Sequence, residues 1–145
     1  MYIRSGSLHD LQEIYKLEER IFKSEAWNRK MLKRELLTNT NSKTLIIEDN
    51  GIILTYLIFR KYLMEYQILN LGVSPSKQNK GLGHRILENF LENIETNSSV
   101  FLEVKKGNFR AINLYKKNGF KVFGERKKYY KDGSSALIMN YYKII

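Results

Sequence analysis

The segment running from Val73 to Ile94, VSPSKQNKGLGHRILENFLENI, limits the possible folds of this chain more than any other. An apolar strand ends at Val73. A short polar loop follows with the single proline, Pro75, and the turn Gln78-Asn79-Lys80-Gly81-Leu82-Gly83 opens directly into a helix. Glycines at a strand-to-helix turn leave backbone N–H groups uncovered, and the helix N-terminus adds about half a positive charge. Together they form an anion site suited to a pyrophosphate. A bare structural turn would explain the glycines equally well on their own. The context favours a ligand: the loop holds no acidic residue, and Lys77 and Lys80 stand beside it. A nucleotide-binding loop of the Gly-Lys-Ser/Thr kind is absent. A dinucleotide fold would want an acidic residue about 20 positions on, and Glu103 meets that spacing. However, the glycines make only G-x-G, and the flanking elements do not alternate as that fold requires.

Those flanking elements read as β-α-α-β-β-β-α-β-α-β-β. Tyr2–Arg4 forms a short strand. Ser7 with Asp10 three residues on is a variant capping box, and Leu11, Ile14, Leu17, Ile21 and Phe22 recur at helical spacing. Asn28 to Leu37 is a second short helix, and residues 38–43 a polar loop. Two β-rich runs, Thr44–Glu48 and Ile52–Arg60, flank Asp49-Asn50-Gly51, a hairpin signal. Tyr66–Val73 is a further strand. Leu82, Ile86, Leu87, Phe90, Leu91 and Ile94 share one helical stripe. Val100–Val104 is a strand, Asn108 to Lys117 a helix closed by Asn118-Gly119, and Phe120–Arg126 and Ala136–Tyr142 are the last strands. A hairpin feeding a right-handed strand–helix–strand crossover makes a mixed α/β sheet with helices on both faces.

Length and composition narrow the function classes. At 145 residues the chain is expected to be one domain, 1–145. Its mean hydropathy is −0.43, and no apolar run approaches the ~18 residues that span a bilayer. With no apolar signal core at the N-terminus, the expected location is cytoplasmic. The absence of cysteine excludes disulfides, thiolate metal sites and a cysteine acyl-enzyme. Two histidines, His9 and His84, do not suggest a metal centre, and none is expected. The net charge of +10 is uneven. Residues 1–100 hold 14 Lys/Arg against 12 Asp/Glu, whereas residues 101–145 hold 11 against 3. A basic C-terminal third could meet nucleic acid, a ribosome or an anionic cofactor, or it could be a solvated lysine-rich surface.

Single residues add candidates with plain alternatives. Glu103 lies inside VFLEV. Alternation puts Val100, Leu102 and Val104 on one side of that strand and Phe101, Glu103 and Lys105 on the other. A carboxylate among core residues is costly unless paired or solvated, so Glu103 faces a cleft or solvent. Tyr115 shares helical spacing with Ala111 and Ile112, which also suits a core aromatic. Asn108 suits a helix N-cap as well as a cofactor contact. Packing is the default reading of Trp27, Tyr129 and Tyr130, and surface exposure that of His84.

Taken together, LNLGVSPSKQNKGLG, FLEV, NFRAINLYKKNGF and RKKYYKDGSSALIM resemble the Gcn5-related N-acetyltransferase superfamily from Tyr2 to Tyr142. Within it the last three blocks are most similar to the N-terminal acetyltransferases of the ribosomal-protein-alanine type. The resemblance implies a single-domain, mostly antiparallel sheet with a central parallel strand pair, and acetyl-CoA as cosubstrate without a metal. It implies that backbone groups of Leu71, Gly72 and Val73 hold the pantetheine arm, with the Val73 N–H near the thioester carbonyl. Amides of Gln78, Asn79, Lys80, Gly81, Leu82, Gly83 and His84 would bind the pyrophosphate, and Asn108 would touch the pantetheine. Glu103 would be the general base and Tyr115 the general acid. Trp27, Tyr129 and Tyr130 would contact the substrate N-terminus, with Glu25 an auxiliary acid beside them. The chain departs from the family pattern at Ala26-Trp27, where relatives carry Pro-Trp, and at Ser135, where many carry Asp. Both departures bear on peptide specificity.

Three functions follow as expectations. The first is acetyl transfer to a protein N-terminal α-amine, the alanine of a ribosomal protein. The second is acetylation of a small amine, such as a polyamine or aminoglycoside, or of lysine; cationic small amines favour an acidic pocket, against the basic C-terminal third. The third is a non-enzymatic ribosome- or RNA-binding module using RKKYYK. No membrane partner is expected, and direct nucleic-acid binding is the less favoured reading.

Overall fold

The computed structural model describes residues 1–38 and 40–144. Its elements are β1 (Tyr2–Ser5), α1 (Leu11–Phe22), α2 (Arg29–Lys33), β2 (Ser42–Asp49), β3 (Ile52–Tyr62), β4 (Glu65–Val73), α3 (Leu82–Asn93), β5 (Ser99–Lys105), α4 (Phe109–Lys117), β6 (Lys121–Arg126) and β7 (Ala136–Tyr142). The order is the one expected from the sequence. The second helix is shorter in its α-helical part and continues as a π-helical turn over Arg34–Thr38. The loop expected over 38–43 includes Asn39, which lies outside the described residues, and Ser42 already belongs to β2.

Local chemistry sets the element ends. Asp10 accepts from the Ser7 N–H at 2.9 Å, closing the entry to α1. The Asn28 side chain accepts from the Met31 N–H at 2.8 Å and caps α2. Asn50 and Gly51 have φ of 50° and 79°, the paired positive angles of a two-residue hairpin turn, and Asp49 sits opposite Ile52.

The seven strands form one sheet, ordered β1-β2-β3-β4-β5-β7-β6. Every neighbouring pair is antiparallel except β4 and β5. Helices α3 and α4 pack on one face with Ile68, Val100, Leu102 and Val104. Helices α1 and α2 cover the other, over Ile46, Tyr56 and Ile58. Each fully buried Leu or Ile contributes about 1.5–3 kcal/mol, and the two layers together clamp the sheet.

Two irregularities of β4 open a gap in the sheet. The β3–β4 register skips Leu69, opposing Ile58 to Asn70 and Phe59 to Ile68. This bulge reverses the strand's facing: Tyr66 and Ile68 belong to the α3 side, whereas Asn70 reaches Glu18 of α1. Strict alternation along β4, as a plain strand predicts, fails at this point. The parallel pairing with β5 also stops early, covering only Glu65–Ile68 against Ser99–Leu102. Beyond it β5 stays with β7 and β4 with β3, so the two central strands part.

Candidate active site

The open half of β4 has a definite hydrogen-bonding polarity. The Ser74 N–H donates to Leu54 O at 2.8 Å. Antiparallel pairs alternate between bonded and non-bonded, so Gly72 and Asn70 turn their amides toward β3, while those of Leu71 and Val73 point at the gap. Gln78 Nε2 donates to Val73 O at 3.2 Å from the gap side. Gly72 therefore plays a different part from its two neighbours. A Cβ there would lie 2.7 Å from the Tyr56 ring and 2.8 Å from Ile21 Cδ1, so glycine lets β3 and α1 close against the strand.

The gap opens into a cleft of about 910 Å³ between β4, α3 and α4. Leu71, Val73, Gln78, Asn79, Gly81, Leu82, Gly83, His84 and Asn108 all line it. Lys80 stays exposed in the turn and is not among the lining residues. Asn79 and Gly81 have φ of 63° and 82°, which curls the chain so that α3 begins at the cleft with unbonded first-turn amides. A Cβ on Gly83 would come 3.1 Å from Leu114 Cδ2, so this glycine sets the α3–α4 approach. The Asn108 side-chain Oδ1 accepts from the Ala111 N–H at 3.2 Å; the N-cap reading holds, and Nδ2 makes no hydrogen bond among the described residues.

Sequence reasoning missed part of this cleft. Ile21 and Phe22 close it from α1, and Arg110, Asn113, Leu114 and Lys117 line it from α4. The signal was present: 110, 113, 114 and 117 fall on one helical stripe beside Asn108. Arg110 donates to Gln78 Oε1 and thereby ties α4 to the glycine turn.

The two candidate catalytic residues lie outside that cleft and on opposite faces of the sheet. β5 alternates as read from the sequence, with Val100, Leu102 and Val104 buried and Glu103 half-buried. Glu103 lines a separate hollow of about 270 Å³ on the α1 face, with Phe101, Arg126 and Ile138. Its carboxylate accepts from Arg126 Nε at 3.0 Å. The charge of Glu103 and a hydrogen bond to it raise the pKa of Tyr129. Burial, followed by the same carboxylate, raises that of Tyr130. Tyr115 is 7 % exposed and packs edge-on to Phe120 with ring centres 5.5 Å apart. Its hydroxyl has no hydrogen-bond partner among the described residues, and burial pushes its pKa up.

The α1–α2 loop and the β6–β7 loop meet at the end of β5. Lys105 donates to Glu25 and lies 2.8 Å from Asp132, with its ammonium 5.6 Å from the Tyr130 ring centre. Glu25, Tyr129 and Tyr130 thus come together around Glu103 and Lys105. Trp27 turns instead toward α1, where its backbone N–H donates to Glu18 at 2.9 Å. No cluster able to hold a metal occurs among the described residues, nor any helix long and apolar enough to cross a membrane.

Residues 8–120 match the model of the Acetyltransferase (GNAT) family. This chain belongs to the GNAT acetyltransferases. The GNAT relatives include the [ribosomal protein bS18]-alanine N-acetyltransferase of Escherichia coli K12, 31% identical over 144 residues, covering 94% of each chain. The crystal structure of the ribosomal-protein-S18-alanine N-acetyltransferase from Escherichia coli superposes with a TM-score of 0.91 at 28% identity, covering 99% of this chain and 94% of that one. Ard1 from Thermoplasma volcanium superposes at 0.83 with 25% identity, covering 99% and 98%. The GNAT fold and an acyltransferase activity are therefore those of this chain.

Proposed function

We propose that this chain is an acetyl-CoA-dependent N-acetyltransferase, with residues 1–145 as a single catalytic domain, that modifies a protein N-terminal α-amine in the cytoplasm. The favoured acceptor is the N-terminal alanine of a ribosomal protein. The observation that carries this reading is the position of Glu103: a half-buried carboxylate on the α1 face, just beyond the point where β4 and β5 stop pairing. The near full-length likeness to the bS18-alanine enzyme supports the acceptor class.

The cleft fits acetyl-CoA on its own geometry. A narrow arm finds the outward amides of Leu71 and Val73. A diphosphate finds the first-turn amides of α3, with Arg110 and Lys117 beside them. Acetyl-CoA, when bound, supplies the acetyl group as a thioester. The Val73 N–H then offers a fixed donor to developing oxyanion charge. Asn108 and Gln78 orient the arm, and apolar Ile21, Phe22 and Leu114 exclude water from it.

Glu103 receives the acceptor's proton from the other face. An N-terminal ammonium has a reference pKa near ~8 against ~10.4 for lysine, so freeing it at neutral pH costs about 1.4 kcal/mol rather than nearly 5. A lone carboxylate suits the former. Tyr115, a phenol protonated at neutral pH whose pKa burial raises further, donates its hydrogen to the departing thiolate. With no cysteine to carry an acyl group, the amine attacks directly in a ternary complex.

The test is mass spectrometry of a peptide mixture incubated with the protein and acetyl-CoA. The mixture holds N-terminal alanine peptides of ribosomal proteins, N-blocked lysine peptides and a polyamine. A gain of one acetyl group on the free N-terminal alanine alone is the expected result. Acetylation of the lysine or polyamine instead overturns the acceptor class.

A further inference from the structure

Behind the acceptor side lies a buried carboxylate that the proposed reaction does not use. Glu18 of α1 is 1 % exposed, and no cation pairs with it among the described residues. It gathers three donors from three other parts of the fold. The Trp27 N–H donates to Oε2 at 2.9 Å, Asn70 Nδ2 donates to Oε1 at 2.8 Å, and the Tyr56 hydroxyl donates to Oε1. Burial pushes the Glu18 pKa up while these bonds pull it down. An acid in this setting is costly and needs every one of its bonds. The position sits in the apolar stripe of α1 between Ile14 and Ile21, where leucine would pack without any such cost.

The donors show what the carboxylate connects. Trp27 belongs to the α1–α2 loop, two residues after Glu25, which touches Lys105 at the end of β5. Asn70 is the first residue past the β4 bulge, on the strand half that parts from β5. The Tyr56 ring lies where a Cβ on Gly72 would be 2.7 Å away, against the back of the cleft edge. One side chain thus ties a loop beside Glu103's neighbourhood to the strand whose outward amides face the gap.

We propose that Glu18 is a positioning residue for the acceptor: it holds the α1–α2 loop at a fixed separation from the open edge of β4. It acts through Trp27 and Asn70 and touches neither substrate. The inference rests on the reading above, in which the amine approaches Glu103 from the α1 face. Acetyl-CoA binding, which draws on α3, α4 and the outward amides of β4, does not depend on the tether.

Glu18→Gln is the decisive variant, because it keeps the shape but replaces one acceptor oxygen by a donor. Amide hydrogen exchange of the full chain is read first, since it needs no acceptor. Exchange at residues 23–28 rises at least tenfold, with β5 and α3 unchanged. With the acceptor that the wild type acetylates, KM for that acceptor rises about tenfold, kcat stays within threefold, and the Kd for acetyl-CoA stays within twofold. Tyr56→Phe removes one donor and keeps the ring; it shows the same pattern at about threefold and serves if Glu18→Gln does not fold. Unchanged protection of 23–28, or equal losses in acceptor KM and acetyl-CoA Kd, overturns the proposal. A wild type that ignores N-terminal alanine peptides while Glu18→Gln still loosens the loop overturns the acceptor reading and leaves the tether standing.

Discussion

Glu103 and Tyr115 sit on opposite faces of the same sheet, one accepting from Arg126 on the α1 side and the other packed against Phe120 on the α4 side. In the proposed reaction, the proton taken from the amine and the proton given to the thiolate are therefore assigned to separate groups on separate faces.

Glu103→Gln lowers kcat by about 100-fold, the lower part of the range for loss of a general base. The Kd for acetyl-CoA, measured by calorimetry, stays within twofold, because Glu103 does not line the large cleft. Parallel loss of both quantities would remove Glu103 from the proton-transfer role.

Tyr115→Phe slows turnover by about 100-fold, the lower part of the same range, with the melting temperature nearly unchanged. The hydroxyl has no partner among the described residues, so its removal leaves no orphaned group behind. Raised by burial, it remains a hydrogen donor across the working pH range. Wild-type rates in single-turnover assays would assign the residue to packing alone.

Gly72→Ala and Gly81→Ala separate two uses of glycine. The first drives a methyl into Tyr56 and Ile21 and costs about 1–3 kcal/mol through overpacking. The second meets open space but holds φ at 82°, costing about 1–2 kcal/mol. Urea unfolding of both, alongside Gly81→Asn as a variant that tolerates positive φ, reads the difference.

Arg110→Ala and Lys117→Ala each raise the Kd for acetyl-CoA about three- to tenfold, and each lowers its dependence on ionic strength, as expected for lost contact with an anionic ligand. An unchanged salt slope would place both cations outside the binding path.

Asp10 is one contributor to acid stability. The Arg4 guanidinium, donating at 3.0 and 2.8 Å, holds the Asp10 carboxyl below the usual carboxylate range, with the Ser7 N–H assisting and burial opposing. A depressed folded pKa gives stability that is full above about pH 4, the unfolded value, and is lost as pH falls through the folded one. Asp10→Asn is thus less stable at pH 6, and the gap closes toward pH 3 in urea midpoints.

The element order, the turn at Asn50-Gly51 and the facing of Glu103 were legible because each rests on local periodicity or on one turn's backbone angles. The bulge at Leu69 was not. Tyr66–Val73 reads as an unbroken apolar strand, and only the polar Asn70 within it hints that the facing changes. Glu18 was hidden by the same logic: an acid in an amphipathic helix reads as solvated until β3, β4 and the following loop are seen to converge on it. The Arg110–Lys117 stripe was visible but lacked the neighbouring strand edge that gives it meaning.

The parting of β4 and β5 leaves the sheet with an edge in its interior rather than at its rim. Rim edges invite pairing with other chains. This one lies between α1 on one face and α3 and α4 on the other, away from the rim. Under the proposed function, the gap in the middle of the sheet takes a ligand where a rim edge would take another strand.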